Sequence, residues 1–334
     1  MTKTRDSNPR RPDGGNDVPR VVISDTKLST LETEYAVFGD DVELVHDLVR
    51  SPAAMTALEP NAIIVDASTP MTAETIASYS GLEVIVRAGV GIDNIDVAAA
   101  RECGVSVSNV PDYGIDEVSA HALALALSLV RGLHVAADDT SDGGWDWEVA
   151  APLHRPEALT FGVVGYGRIG SRTVEKALPQ FGNVLVADPY VADESILDGG
   201  AEPVAFDLLL EKSDVLSVHT PLTSETHTVF DRDAFDAMGA GDGPGPIFVN
   251  TARGPVVDTD ALVAALDDGR VRRAGLDVLA TEPPVDARLT GRRDVLVTPH
   301  VAWYTEESKH EVRQKAAEEA RRLLAGDEGN YRVD

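Results

Sequence analysis

The chain has a single cysteine, Cys103, which excludes an internal disulfide framework and any cysteine-based metal cluster, and no metal is expected. It has no stretch of about 20 apolar residues free of charge, so no segment is expected to span a bilayer. Basic residues are scarce: 29 lysines and arginines stand against 56 aspartates and glutamates, a formal net charge of −27. A surface that negative repels phosphate backbones and anionic lipid, which argues against nucleic acid or a membrane as partner. The first twenty residues lack an apolar segment and are rich in Pro, Gly and Arg. Residues 1–20 therefore read as a disordered extension rather than a signal peptide, and the protein is expected in the cytoplasm.

What is present in quantity is core material. With 334 residues and 43% hydrophobic content, the chain is long enough for about two domains. Only six of the 29 basic residues are lysine. An acidic, lysine-poor surface resembles that of halophilic proteins, in which high salt screens the self-repulsion.

Apolar runs alternate with amphipathic stretches throughout, the pattern of an α/β fold. Strands are expected at Arg20–Ser24, Ala62–Ala67, Glu83–Arg87 and Val105–Ser108, with helices over Thr72–Tyr79 and Val97–Glu102. Asp116–Val130 is apolar almost all round and must be a buried helix. Asp138–Pro156 reads as a loop holding Trp145 and Trp147, as core plugs or as an inter-subunit contact. A second series of strands follows at Phe161–Val164, Asn183–Ala187, Val215–Val218, Ile247–Asn250 and Val295–Thr298. Strands this apolar, separated by helices, predict a doubly wound parallel sheet covered on both faces. Asp258–Asp267 is a short helix ended by Gly269. A final helix starts near Thr305, its N-cap, and carries Val312, Ala316, Ala320 and Leu323 along one stripe.

Gly165-Tyr166-Gly167-Arg168-Ile169-Gly170 is a G-x-G-x-x-G between a strand and a helix, and Asp188 ends the next strand 18 residues past the third glycine. Gly165 permits the tight turn, Gly167 lets a pyrophosphate approach the backbone, and Gly170 lets the helix pack on the strand. An acid at Asp188 accepts bonds from ribose hydroxyls and repels a 2′-phosphate, which favours NAD(H) over the phosphorylated cofactor. The motif usually opens a nucleotide-binding domain, yet here it lies halfway along the chain. The residues before it must form something else, most simply a substrate domain.

Three later segments place polar residues at strand ends: Asn250-Thr251-Ala252-Arg253-Gly254, Asp277 with Glu282, and Thr298-Pro299-His300. In a doubly wound sheet such ends converge on the ligand crevice. A histidine can carry a proton there, a carboxylate can hold it protonated, and an arginine can bind and polarise a 2-oxo acid. Taken singly, each of these residues has an ordinary structural explanation as well.

Together with RAGVGIDNID at 87–96 and HTPLTSETH at 219–227, these segments resemble the D-isomer-specific 2-hydroxyacid dehydrogenase family from about Val21 onward. Within it, VPDYGIDEVSAHALAL, GGWDWE and TPHVAWYTEES resemble the branch that includes the C-terminal-binding-protein corepressors. The resemblance implies two Rossmann-like domains with the active site in the cleft between them. Residues 21–112 with 302–334 would form the flavodoxin-like substrate domain, and residues 113–301 the NAD-binding domain. It further implies Arg253 as the substrate-binding arginine, His300 as acid and base, and Glu282 as its partner. Asp277, Thr251 and Ala252 would face the nicotinamide, with His219, Thr220, Pro221 and Val118 along the cofactor beside Gly165, Gly167, Arg168, Ile169, Gly170 and Asp188. The substrate would meet Arg87, the amides of Val90 and Gly91, and Trp303. A homodimer is implied as well.

Other histidines carry less. His121 reads as a satisfied core group; His46, His134, His154, His227 and His310 read as structural or surface residues. Two features depart from the family: the longer turn Gly239–Pro246, and Ala120 where many members carry an acid. The sequence runs to Asp334, just after the final helix, so the C-terminal regulatory domain of longer phosphoglycerate dehydrogenases is not expected. The function expected is NAD-dependent interconversion of a 2-oxo acid and a D-2-hydroxy acid. A 3-phosphoglycerate dehydrogenase and a non-catalytic NAD(H)-sensing binding protein are the alternatives, with phosphite or formate oxidation more remote. Tyr113, Trp303 and Tyr304 suggest an apolar or aromatic-walled pocket.

Overall fold

The computed structural model describes residues 18–25, 28–47, 58–238, 245–284 and 287–333. Most of the polar N-terminal segment and residues 239–244 of the Gly239–Pro246 turn lie outside them. The chain divides into two compact units, one running to Pro111 and resuming at Val312, the other spanning Asp112–Glu311.

The first unit is built on strands that, apart from the edge strand, are mostly buried. They are β1 (Arg20–Ser24), β2 (Glu43–His46), β3 (Ala62–Val65), β4 (Val84–Arg87) and β5 (Ser106–Ser108), all parallel, in the order β2-β1-β3-β4-β5. Helices α1 (Glu32–Phe38), α2 (Ala73–Ala77) and α3 (Val97–Glu102) connect them. Thr72 caps α2 by accepting from the Thr75 amide, and Asp96 caps α3 by accepting from Ala99. Strand β2 was not anticipated, because its ELVH sequence is an edge strand with little burial and too few apolar residues to stand out.

The second unit begins with the buried helix α4 (Ile115–Val130), followed by α5 (Leu133–Ser141). A seven-stranded sheet follows: β6 (Thr160–Val164), β7 (Asn183–Ala187), β8 (Glu202–Pro203), β9 (Val215–Val218), β10 (Ile247–Asn250), β11 (Arg273–Leu276) and β12 (Val295–Val297). Its order is β12-β11-β10-β9-β6-β7-β8, and every pair is parallel. Helices α6 (Arg168–Ala177), α7 (Asp193–Asp198), α8 (Phe206–Lys212), α9 (Arg232–Met238) and α10 (Thr259–Asp267) cover it.

The period-two alternation of side chains explains why these strands read as continuous apolar runs. Phe161, Val163, Val184, Val186, Val215, Ile247 and Val249 face a cluster with α4, α6 and α7. Val164, Leu185, Ala187, Leu216, Val218 and Phe248 face the opposite cluster with α8, α9 and α10. Both faces are buried, so no strand can tolerate a polar face. Phe230, Phe235 and Phe248 stack at centroid separations of 5.1–6.3 Å beneath β10.

The sequence implies a strand end before Asp277 but gives β11 no bounds, because RAGL carries an arginine and a glycine. Both residues serve the approach of α4. A Cβ on Gly275 would meet Leu129 at 2.8 Å and Leu125 at 3.2 Å, so only glycine lets the helix lie this close. Arg273, buried, donates to the carbonyls of Leu129 and Ala150, each at 2.7 Å. The expected loop from Asp138 starts later than anticipated. Asp138–Ser141 form the last turn of α5, whose polar sequence hides its helical state, and the chain leaves the helix at Gly143 with φ of 89°. Trp145 and Trp147 are 91% and 87% exposed, which removes their reading as core plugs. The final helix runs over Glu306–Leu324, and Thr305 Oγ1 caps it by accepting from Ser308 N at 2.9 Å. Among the described residues no single helix is long and apolar enough to cross a membrane.

Truncating Phe248, which is fully buried at the centre of the aromatic stack, tests this layering. Phe248→Ala is expected to lower unfolding free energy by about 3–5 kcal/mol in urea titration; a loss below about 1 kcal/mol would contradict the packing described.

Candidate active site

In the second unit the turns that follow β6, β7, β9, β10, β11 and β12 all leave the same edge of the parallel sheet. They carry Gly165, Asp188, His219, Arg253, Asp277 and His300 respectively.

The glycine turn is shaped by neighbouring backbone. Gly165 has φ of 91°, and a Cβ there would lie 2.9 Å from the His219 carbonyl oxygen. A Cβ on Gly170 would lie 1.9 Å from the Gly165 carbonyl oxygen, so the turn and the start of α6 are locked together. Gly167, by contrast, faces open space, and no side chain caps α6 there. An open, uncapped N-terminus of a ten-residue helix is a fit for a phosphate group. Asp188 accepts from the amides of Tyr166 at 2.7 Å and Tyr190 at 2.8 Å, so its carboxylate is fixed at the rim of the turn. Arg168 is exposed, while Ile169 and Val118 are half-buried. The hydroxyls of Thr220 and Thr251 are buried and have no hydrogen-bond partner among the described residues. Two orphaned donors at the ends of β9 and β10 fit a polar ligand along this edge.

His219 has its imidazole bonded to Ser217 Oγ at 2.9 Å, and burial pushes it down to about 4. The residue keeps some surface, so the ring is shielded rather than the whole residue.

At the other end, Asn250 organises the arginine loop. Its Nδ2 donates to the Arg253 carbonyl and its Oδ1 accepts from Ala252 N, both at 2.9 Å. Gly254 brings this loop against the next one, since a Cβ there would fall 2.0 Å from the Leu279 carbonyl atoms. The Leu279 amide in turn donates to Glu282 Oε1 at 2.9 Å. The other carboxylate oxygen, Oε2, lies 2.7 Å from His300 Nδ1. Burial alone would raise the Glu282 carboxyl, but the hydrogen bond and charge of His300, the Leu279 amide and the charge of Arg253 hold it below the usual value. An ionised carboxylate only accepts, so Nδ1 of His300 carries the proton of that bond and Nε2 is the nitrogen left for exchange.

His300 has φ of 51°, a left-handed conformation that costs of order 1–3 kcal/mol unless its surroundings impose it. Asp277 imposes it. The Asp277 carbonyl accepts from His300 N at 2.8 Å, Oδ1 from Val301 N at 2.9 Å and Thr298 Oγ1 at 2.6 Å, and Oδ2 from Ala302 N at 2.9 Å. Trp303 closes the same loop by donating from Nε1 to the His300 carbonyl at 3.1 Å, and its ring stands edge-on to Tyr113.

Within the first unit, Arg87 ends β4 and is buried, its guanidinium folded back over Gly89. Val90 is exposed and its carbonyl accepts from Asn109 Nδ2 at 2.6 Å. The amides of Val90 and Gly91 make no backbone hydrogen bond among the described residues. The sequence reading gave no role to Asn250, Gly254 or Thr298. A signal was present for each, since each lies in a polar segment directly after a strand.

Residues 123–302 match the family model for the D-isomer specific 2-hydroxyacid dehydrogenase, NAD binding domain. That is more than half of the chain, and the chain belongs to this family. It is 39% identical over 315 residues to a D-3-phosphoglycerate dehydrogenase of Mycobacterium leprae, covering 93% of this chain and 58% of that protein. The chain thus spans less than two thirds of the length of the curated relatives it matches. Among solved structures, it resembles D-lactate dehydrogenase from Aquifex aeolicus in complex with NAD and lactic acid, with a TM-score of 0.82 and 29% identity, covering 92% of this chain and 96% of that one. It also resembles the holo form of Rhodotorula graminis D-mandelate dehydrogenase, with a TM-score of 0.83 and 30% identity over 94% and 97% of the two chains.

The lowered His219 makes stability depend on pH. Between about pH 6.5 and 4 the unfolded chain binds a proton there that the folded chain refuses, so stability from this group is complete above pH 6.5 and is lost as pH falls toward 4. From pH 7 to 5 the loss is up to about 2 kcal/mol. His219→Gln is expected to flatten the slope of stability over that interval in chemical denaturation; an unchanged slope would contradict the shielded, neutral imidazole.

Proposed function

We propose that the protein is an NAD-dependent oxidoreductase that interconverts a 2-oxo acid and a D-2-hydroxy acid. The observation that carries the reading is the 2.7 Å pairing of His300 with an ionised Glu282, with Arg253 close enough for its charge to bear on the same carboxylate. Gly165, Gly167, Arg168, Ile169 and Gly170 would hold the pyrophosphate, Asp188 the adenosine ribose, and Val118, His219, Thr220, Pro221, Thr251 and Ala252 the remainder toward the nicotinamide. When bound, NADH supplies the hydride to the carbonyl carbon of the acid.

The chain's own residues do the rest. Nε2 of His300 gives its proton to the carbonyl oxygen, or takes one from the hydroxyl in the reverse direction. Glu282 fixes the ring through Nδ1 and offsets the charge of the doubly protonated imidazole. Arg253 makes charge-assisted bonds to the substrate carboxylate and carbonyl. Arg87 and the amides of Val90 and Gly91 are assigned to substrate binding, which makes the first unit the substrate domain and the second the cofactor domain; Trp303, also assigned to the substrate, belongs to the second unit. Asp277 was expected to face the nicotinamide; its carboxylate is committed to the loop of His300, so its contribution is to hold that loop. The exposed Trp145 and Trp147 are assigned to the contact of a homodimer. The name of the Mycobacterium leprae relative favours one specific substrate pair, 3-phosphoglycerate and its 2-oxo product, as a second reading.

The test is oxidation of NADH in high potassium chloride against 2-oxo acids from glyoxylate and pyruvate through branched and aromatic acids to phosphohydroxypyruvate, with NADPH in parallel. Turnover with NADH is expected on at least one, and NADPH is expected to be the poorer cofactor because of Asp188. His300→Ala should lower kcat by about 10²–10⁴-fold and leave NADH affinity unchanged. Tight NADH binding without turnover across the panel would instead establish a sensing role, and loss of NADH binding in His300→Ala would overturn the assignment of that residue.

A further inference from the structure

The buried helix α4 contributes a side chain to the loop of His300 that no step of the reaction above uses. His121 lies one turn before Leu125, the residue that Gly275 admits against β11. From there its Nε2 reaches Thr298 Oγ1 at 3.0 Å and comes within 3.6 Å of Asp277 Oδ1. The ring is only a quarter exposed, and Asp277 is fully enclosed.

The directions of these bonds follow from counting protons. Thr298 has one hydroxyl proton and gives it to Asp277 Oδ1 at 2.6 Å. Its oxygen is therefore the acceptor toward His121, and Nε2 of His121 must bear the hydrogen. The result is a one-way chain, His121 Nε2–H to Thr298 O–H to Asp277, in which each bond polarises the next. Asp277 needs these donors. Its enclosed carboxylate receives the amides of Val301 and Ala302, which directly follow the left-handed His300, and the Thr298 hydroxyl is its one side-chain donor in hydrogen-bond range among the described contacts.

We propose that His121 is a positioning residue for the acid–base histidine: acting through Thr298 and Asp277, it holds the 298–302 loop in the conformation that presents His300 to the substrate. The inference rests on the dehydrogenase reading for its effect on rate, but not for its effect on the loop. It assigns a role in turnover to a histidine that the sequence presents as ordinary core, and it gives a reason for an imidazole at a partly buried position of a mostly apolar helix.

The test compares His121→Phe, which keeps a ring but no donor, with His121→Gln, whose amide can donate from the position of Nε2. Two readouts are taken on the full chain: steady-state kinetics, and hydrogen–deuterium exchange over residues 298–302. His121→Phe is expected to lower kcat about tenfold or more with both KM values within about threefold, and to speed exchange in 298–302 while β6 and β10 stay protected. His121→Gln should recover most of both losses. Thr298→Val should reproduce the effect of His121→Phe, and the double variant should be no worse than either single one, since both break the same chain. Unchanged exchange in 298–302 with kcat within twofold of the parent, failure of His121→Gln to rescue, or strictly additive losses in the double variant would each overturn the proposal. If the parent turns over no 2-oxo acid, the dehydrogenase reading fails while the exchange experiment still decides the role of His121.

Discussion

Asp277 is a carboxylate sealed from water whose oxygens are satisfied by one short loop. Taking such a charge out of solvent is costly unless donors surround it, and here the donors are the amides and hydroxyl of residues 298–302. The cost of burying the charge and the cost of the left-handed His300 are therefore met by the same set of bonds. The proposed reacting end of the site rests on this closure, because the His300 ring is held by the backbone that Asp277 binds and by the Glu282 carboxylate bonded to Nδ1.

The sheet supplies the rest of the order. In the arrangement β12-β11-β10-β9-β6-β7, the strand ends present His300, Asp277, Arg253, His219, Gly165 and Asp188 in a row along one edge. Adjacent strands are separated by about 4.8 Å, so five intervals set the two ends of the row roughly 24 Å apart. The chain reverses direction across the sheet at β6, and the glycine turn lies at that switch, where an open α/β sheet leaves a crevice. The residues proposed for proton transfer and for ribose recognition thus stand at opposite ends of one sheet edge. Glycines fix the two places where loops must touch: Gly165 against the β9 turn, and Gly254 against the segment that leads to Glu282.

Much of this was legible in the amino-acid sequence, for physical reasons. Strands buried on both faces are apolar at nearly every position, so β7, β9 and β10 appear at their observed bounds. The G-x-G-x-x-G is legible because steric demands leave glycine little alternative at Gly165 and Gly170. What escaped were elements defined by partners distant in sequence. Strand β11 is a strand because it pairs with β10 and β12, with α4 packed onto its glycine, and β2 because it joins the edge of β1. Asp277 looked like a ligand group because it follows a strand and precedes Glu282. Its bonds to the loop of His300 are seen only in the fold of residues 298–302, and sequence spacing carries no sign of them. His121 was read as a satisfied core residue, and it is satisfied; the partner that satisfies it, Thr298, lies 177 residues away.

The most direct measurement is the comparison of kcat with NADH affinity in Asp277→Asn. The amide has the shape of the carboxylate but offers one acceptor in place of two, so one of the loop's donors must face an N–H. The account predicts a fall in kcat of about 100-fold or more, with the dissociation constant of NADH within about threefold of the parent and the fold intact. A variant that keeps its kcat, or one that loses NADH affinity by the same factor as kcat, would contradict it: the carboxylate would then be a cofactor contact and not the clamp that aims His300.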